Sequence, residues 1–199
     1  MTFAVNLPHY LIVGLGNPGR QYARNRHNVG FLVVSRLAER LGAPFGRMQH
    51  KALIAQGRHE RRRLILAKPQ TFMNLAGQAV APLLRFYKIP LDHLLVVYDD
   101  LDLPPFTLRL RPKGGHGGHK GMRDIIQRLG SQEFPRLRVG IGRPPGRMDA
   151  ADYVLQDFSP AEQETLAMVL DRAVEGILLW ISEGLPAAMN FINRPEETP

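Results

Sequence analysis

Few residue types in this chain can move protons or attack an acyl carbon near neutral pH. It has no cysteine, which removes disulfides, thiolate-bound zinc and a thiol nucleophile together. No serine stands in a Gly-x-Ser-x-Gly turn, so water is the default nucleophile. Asp99 and Asp100 end the apolar run Leu94-Leu95-Val96-Val97-Tyr98. A strand that stops in carboxylates presents them at its C-terminal edge, where open α/β sheets bind ligands. Alone, such a pair reads as solvated turn residues, and a lone His27 beside arginines reads as surface. Brought together, they form a base and its orienter, the carboxylate fixing the tautomer and raising the basicity of the imidazole.

Two glycine-rich stretches suggest other chemistry and fail on context. Gly14-Leu15-Gly16-Asn17-Pro18-Gly19 matches a dinucleotide fingerprint, yet the residues that follow, Arg20 to His27, show no apolar helix face. Gly114 to Lys120 lacks the Gly-Lys-Ser/Thr ending of a phosphate-binding loop. His116 and His119 lie three apart with acids nearby, but a glycine-rich loop does not preorganise metal ligands as a helix does. We therefore expect neither metal nor cofactor.

The elements that must position these groups alternate along the chain. Strands are expected at Tyr10 to Val13, Leu64 to Ala67, Leu94 to Tyr98, Phe106 to Arg111 and Leu137 to Ile141. Helices are expected from Val29 to Leu41, from Leu75 to Tyr87 with Asn74 as N-cap, and from Gly121 to Leu129 with Gly130 as the stop. Ser159-Pro160-Ala161-Glu162 is a capping box with proline at the first helical position, opening a long helix towards Trp180. The pattern predicts an α/β fold: a single domain over residues 1–199, with a mixed, largely parallel twisted sheet flanked by helices.

The chain carries 26 basic against 18 acidic residues, a net charge of +8 with no basic tail. A surface so charged attracts polyanions through phosphate neutralisation, which makes nucleic acid the expected partner. No apolar run is long enough to span a bilayer, and Met1 to Tyr10 show no export signal, so no membrane is expected and the expected compartment is the cytoplasm. The basic run Arg58 to Arg63 reads as a solvated hairpin tip.

Five spaced motifs then become recognisable as a set. They are Val13 to Gly19 with Tyr22 and Arg26-His27-Asn28-Val29-Gly30-Phe31; Lys68-Pro69-Gln70-Thr71-Phe72-Met73-Asn74-Leu75-Ala76-Gly77; Asp99 to Pro104; Gly114 to Gly121; and Arg136 to Gly142. In this order they resemble the bacterial peptidyl-tRNA hydrolases over roughly Tyr10 to Asn190. The resemblance implies a monomeric hydrolase that cleaves the ester between a peptide and the 3′ end of tRNA. It implies His27 as catalytic histidine, Asp99 as the carboxylate that orients it, and Asn17 as a residue that senses the acylated amine. Tyr22, Phe72, Met73 and Asn74 would line the substrate cleft, and Asn74 would also serve as an oxyanion or carbonyl donor. The tRNA phosphates would meet Arg111, Lys113 and Arg138, together with Arg143 or Arg147.

One position departs from the family pattern. Lys120 stands where the family carries a substrate-binding asparagine, so that role does not transfer unchanged. Some relatives of the family bind RNA in organellar intron splicing without hydrolysis, and this splicing-factor-like role is the alternative. Retention of His27 with Asp99 and of Asn17 with Asn74 favours the enzyme.

Overall fold

The apolar runs become strands because both faces of the sheet they form are covered. Along β1 (His9–Gly14), Leu11 and Val13 enter one apolar cluster while Ile12 enters the other, as the two-residue period of a strand demands. A computed structural model of the chain describes residues 7–195. Residues 1–6, part of the stretch read for an export signal, and residues 196–199 lie outside that range.

The other strands are β2 (Arg47–Gln49), β3 (Ala52–His59), β4 (Arg62–Pro69), β5 (Leu94–Asp100), β6 (Leu108–Arg111) and β7 (Arg136–Gly140). They form one seven-stranded sheet in the order β2-β3-β4-β1-β5-β7-β6. The centre, β4-β1-β5-β7, is parallel, and β2, β3 and β6 join antiparallel at the edges. The fold is thus the mixed, largely parallel α/β sheet expected. From β1 the chain moves to β4 on one side and then crosses back to β5 on the other, so the strand order reverses at β1/β5. Ligands of open α/β sheets bind outside the carboxyl ends of the strands at such a reversal.

Helix α1 (Val29–Arg40) and the long α5 (Gln163–Glu183) cover one face together with α6 (Leu185–Asn193), while α2 (Gly77–Tyr87) and α3 (Lys120–Leu129) cover the other. A short α4 (Ala150–Val154) lies beside the turn that follows β1. The capping box at Ser159 is present, its Glu162 carboxylate accepting the Ser159 N–H at 2.6 Å. Gly130 ends α3 at φ 65°, a conformation that favours glycine. The basic run Arg58 to Arg63 does form a hairpin tip, between β3 and β4.

Asn74 is not a helix cap. Met73–Leu75 form a 3-10 turn that leads into α2, and the helix-start N–H of Gly77 is taken by Asp124 Oδ2 at 2.8 Å. A carboxylate from α3 thus meets the need that the sequence assigned to Asn74 and leaves that side chain exposed. Elements not anticipated are β2, β3, α4 and α6. Their short or mixed patterns carry little period of their own and take shape from packing.

Candidate active site

A short 3-10 turn, Arg26–Asn28, carries His27 and runs directly into α1. It sits tightly on the sheet because two glycines touch: a Cβ on Gly14 would lie 2.1 Å from the Gly30 carbonyl oxygen, and one on Gly30 would lie 2.3 Å from that of Val97. Arg26 anchors the turn from the opposite side. Its guanidinium donates to the carbonyls of Asp157 at 2.6 Å and Gln156 at 3.3 Å, and pairs with Glu162 at 3.0 Å. It also lies over the rings of Tyr153 and Phe158. Burial disfavours the Glu162 charge, but bonds from Ser159 and the Arg26 cation hold its carboxyl below the usual range.

The end of β5 delivers Asp99 to the same point. Its carboxylate is buried and accepts from His27 Nδ1, 2.9 Å from one oxygen and 3.0 Å from the other. A second imidazole arrives from the start of α3: His119 Nε2 lies 2.9 Å from Asp99 Oδ1. Burial works against the Asp99 charge, yet the two histidines and their hydrogen bonds override it and hold the carboxyl well below its usual range. For His27, burial disfavours the imidazolium. The charge and hydrogen bond of Asp99 outweigh burial and raise its pKa above 6.5, while Lys120 pulls the other way. With Nδ1 bound to Asp99, Nε2 is the ring nitrogen left to take a proton.

A cleft of about 780 Å³ opens over this pair. Its lining brings together Asn17, His27, Phe72, Met73, Asn74, Asp99 and Lys120. Phe72 is 77% exposed and Met73 is buried, so the first offers a free ring to a ligand while the second forms floor. Tyr22 is not part of this lining; it lies half-buried in the 3-10 turn Arg20–Tyr22.

The expected phosphate contacts are dispersed. Arg143 lines the cleft but is bonded to Asp102, and Arg138 is paired with Asp100 at 2.5 Å. Arg111 stands opposite Arg136, at the far end of β7 from the cleft, and Lys113 pairs with Glu133 at 3.5 Å. Arg147 is exposed in the loop before α4. The register of β6 on β7 sets Arg109 opposite Arg138 and Arg111 opposite Arg136. Directly opposed residues share a face, as do residues two apart, so these four arginines share one face at the edge of the sheet. Arg136 among them is buried, its guanidinium donating to the carbonyls of Phe134, Gly115 and Gln132, which leaves Arg109, Arg111 and Arg138 as the strip.

His27, Asp99 and His119 place one donor atom each within 4.8 Å of one another, a spacing that a metal ion could use. Their bonding argues otherwise. His119 Nδ1 accepts the Met122 N–H at 3.3 Å as the N-cap of α3, so its proton sits on Nε2, which makes that atom a donor to Asp99 rather than a ligand. In the sequence His119 stands out only as half of a weak metal pair with His116. Its helix-cap position before Lys120-Gly121-Met122 was the signal available. Asn28 was also missed as a functional group: it is buried and holds the backbone of Asn17 through two hydrogen bonds.

The sequence model of the peptidyl-tRNA hydrolase family matches residues 11–199. A protein of Chloroflexus aggregans named peptidyl-tRNA hydrolase is 57% identical over 185 residues, covering 92% of this chain and 98% of that protein. A chloroplastic peptidyl-tRNA hydrolase of Arabidopsis thaliana is 54% identical over 92% of this chain and 64% of its own length. Among solved structures, peptidyl-tRNA hydrolase from Acinetobacter baumannii superposes with a TM-score of 0.87 at 39% identity, covering 92% of this chain and 94% of that one.

Proposed function

The chain belongs to the peptidyl-tRNA hydrolase family, and from that premise we propose how it acts on its substrate. It is a carboxylic ester hydrolase that splits peptidyl-tRNA, or any N-blocked aminoacyl-tRNA, into free peptide and free tRNA. The observation that carries the site assignment is the 2.9 Å bond from His27 Nδ1 to the buried Asp99 at the floor of the cleft.

In the proposed mechanism His27 Nε2 takes a proton from a water as its oxygen attacks the ester carbonyl carbon. Asp99 stabilises the imidazolium that forms and keeps the ring in the productive tautomer. The carbonyl oxygen gains charge, and the amide N–H groups of Asn74 and Asn17 are the donors at hand, a role worth about 10²–10³ in rate per donor. When the tetrahedral intermediate collapses, the C–O bond to the 3′ ribose oxygen breaks and that oxygen takes the proton from His27. No step requires a metal or cofactor.

Selectivity for the blocked amine follows from the same amides. A site built to pair with the first peptide bond leaves buried polar groups unpaired when that bond is missing, which penalises aminoacyl-tRNA with a free amine. Phe72 and Met73 supply apolar contact for the peptide. Arg109, Arg111 and Arg138 on β6 and β7 extend the basic surface away from the cleft, with Arg143 and Arg147 at its rim, and are set to meet the tRNA phosphates; Asp100 and Asp102 must yield Arg138 and Arg143 to do so.

Among the described residues no helix is long and apolar enough to cross a membrane. We place the working protein as a single-domain monomer where its translational substrate arises, which in a bacterial cell is the cytoplasm. The splicing-factor-like alternative is not favoured, since the matched relatives carry the hydrolase name. The decisive assay incubates the protein with N-acetyl-aminoacyl-tRNA and with free-amine aminoacyl-tRNA, both with a chelator present. Release of the blocked amino acid alone is expected. Binding of tRNA without release would return the RNA-binding reading.

A further inference from the structure

Asp99 has two imidazole partners, and the reaction uses one of them. We infer that His119 is a positioning residue: it donates to Asp99 so that the carboxylate is shared between two rings, which limits how firmly Asp99 can hold a proton on His27. This deepens the proposed function and rests on His27 being the base.

The geometry fixes the direction of the His119 bond. As N-cap of α3 its Nδ1 accepts the Met122 N–H at 3.3 Å, so the ring proton is on Nε2 and points to Asp99 Oδ1 at 2.9 Å. The ring has little room to leave this pose: its side chain is 7% exposed, and Tyr98 packs edge-on against it with centroids 5.0 Å apart. Asp99 is itself 3% exposed, so its charge is shared by these N–H donors rather than diluted by solvent. His27 Nδ1 reaches both carboxylate oxygens, and one of them, Oδ1, also receives His119.

The consequence is electrostatic. A buried carboxylate facing one histidine stabilises the imidazolium strongly, and a base that is already protonated accepts nothing. A second N–H donor on the same carboxylate draws part of its charge and offsets that pull. The charged and titratable groups around His27 are Tyr98 and Asp99 from β5 and His119 and Lys120 from α3; farther along the cleft wall stand Asp100, Asp102, His116, Arg143 and Asp149.

Two variants separate the cap from the donor. His119→Gln places an amide N–H where Nε2 stood but has no acceptor at the Nδ1 position. His119→Asn supplies a preferred cap oxygen but is too short to reach Asp99. The readout is the NMR titration of the His27 ring in the free protein, assigned by comparison with His27→Gln, together with the pH profile of kcat/KM. In His119→Asn the His27 midpoint should rise by about half a pH unit or more, so that kcat/KM at pH 6 loses about threefold more than at pH 8. In His119→Gln the midpoint should stay near that of the parent, and the lost helix cap should show as a lower melting temperature. An unchanged or lowered midpoint in His119→Asn, or the same rise in both variants, overturns the inference. The titration needs no substrate. A parent chain that releases nothing from N-acetyl-aminoacyl-tRNA at any pH therefore overturns the proposed function and leaves this test standing.

Discussion

The side chain of Asn28 pairs with the backbone of Asn17 as one peptide unit pairs with another. Asn28 Oδ1 accepts the Asn17 N–H at 2.8 Å, and Asn28 Nδ2 donates to the Asn17 carbonyl at 2.9 Å. Asn28 follows His27 directly, so the same turn fixes the proposed base and the loop of Asn17, whose amide the proposed mechanism sets against the substrate. Asn28→Ala leaves two polar groups of Asn17 without partners, a cost of about 1–3 kcal/mol each where they stay buried. We expect lower thermal stability and a loss of discrimination: kcat/KM for N-acetyl-aminoacyl-tRNA should fall about tenfold while the residual free-amine activity changes little, since a loss of about 1.4 kcal/mol is tenfold. An unchanged ratio of the two substrates would mean that Asn17 does not read the amine.

His27→Ala should cut turnover by at least about 10²-fold, because general bases typically contribute 10²–10⁴. Affinity for tRNA and the melting temperature should stay close to the parent values, since the turn is anchored by Arg26 rather than by the imidazole. Hydrolysis near the parent rate would remove His27 from the mechanism.

The pH dependence has a definite sign. His27 has a pKa raised above 6.5, and only its neutral form accepts a proton, so kcat/KM should climb as pH rises through that value and fall on the acid side. Asp99→Asn removes the group that raises it, while burial and Lys120 still act against the imidazolium. The acid limb should therefore move to lower pH, below 6.5, as the plateau drops by about 10²–10⁴-fold through loss of the correct tautomer. For stability, a raised histidine pKa contributes fully below the unfolded value of 6.5 and is lost as pH rises through the folded one. The contribution of Asp99, whose carboxyl is depressed, is present above 3.8 and is lost only in strong acid. Asp99→Asn should consequently destabilise the fold more at pH 5 than at pH 9 in thermal melts.

The strands and helices that carry the site were legible wherever a periodic apolar pattern sat beside a clear stop. The run Leu94 to Tyr98 ending in two aspartates predicted β5 and the position of Asp99, and Val29 to Leu41 predicted α1 to within one residue. What stayed hidden depends on contacts between distant segments. Arg26 looked like one more surface cation in a polar stretch, yet it is buried because Gln156, Asp157 and Glu162, some 130 residues away, satisfy it. Asn74 looked like a helix cap because nothing local shows that Asp124 takes that N–H. The role of His119 needed the fold, since the residue it serves lies 20 positions away on another element.

Affinity for tRNA should weaken steeply with salt if the arginine strip meets phosphates, with log K falling by about 0.7–0.9 for each contact per unit of log salt. Arg111→Ala and Arg138→Ala should each lower that slope by about one. Arg61→Ala, at the hairpin tip between β3 and β4, should leave it unchanged. Because Arg138 is held by Asp100 at 2.5 Å, Asp100→Asn should release it and tighten tRNA binding at low salt. A slope that ignores Arg111 and Arg138 but responds to Arg61 would move the tRNA surface to the other end of the sheet.

Lys120 is the position that the sequence resemblance marks as a departure from the family pattern. It is the exposed first residue of α3 and lines the cleft. An asparagine there donates and accepts, matching both groups of a peptide bond, whereas lysine only donates and carries a charge on a flexible stem. At the positive end of the helix dipole that charge costs about 0.3–1 kcal/mol, which an anionic substrate group can offset. The trade we expect is weaker peptide reading for stronger attraction to the 3′-terminal phosphates. Lys120→Asn should keep or improve discrimination against free-amine substrate while lowering tRNA affinity slightly and the salt slope by about one unit. The same change removes a cation that opposes protonation of His27, so the acid limb of kcat/KM should move to higher pH, opposite to its movement in Asp99→Asn. If affinity, slope, discrimination and acid limb all stay where they were, the ammonium group points into solvent and has no part in the site.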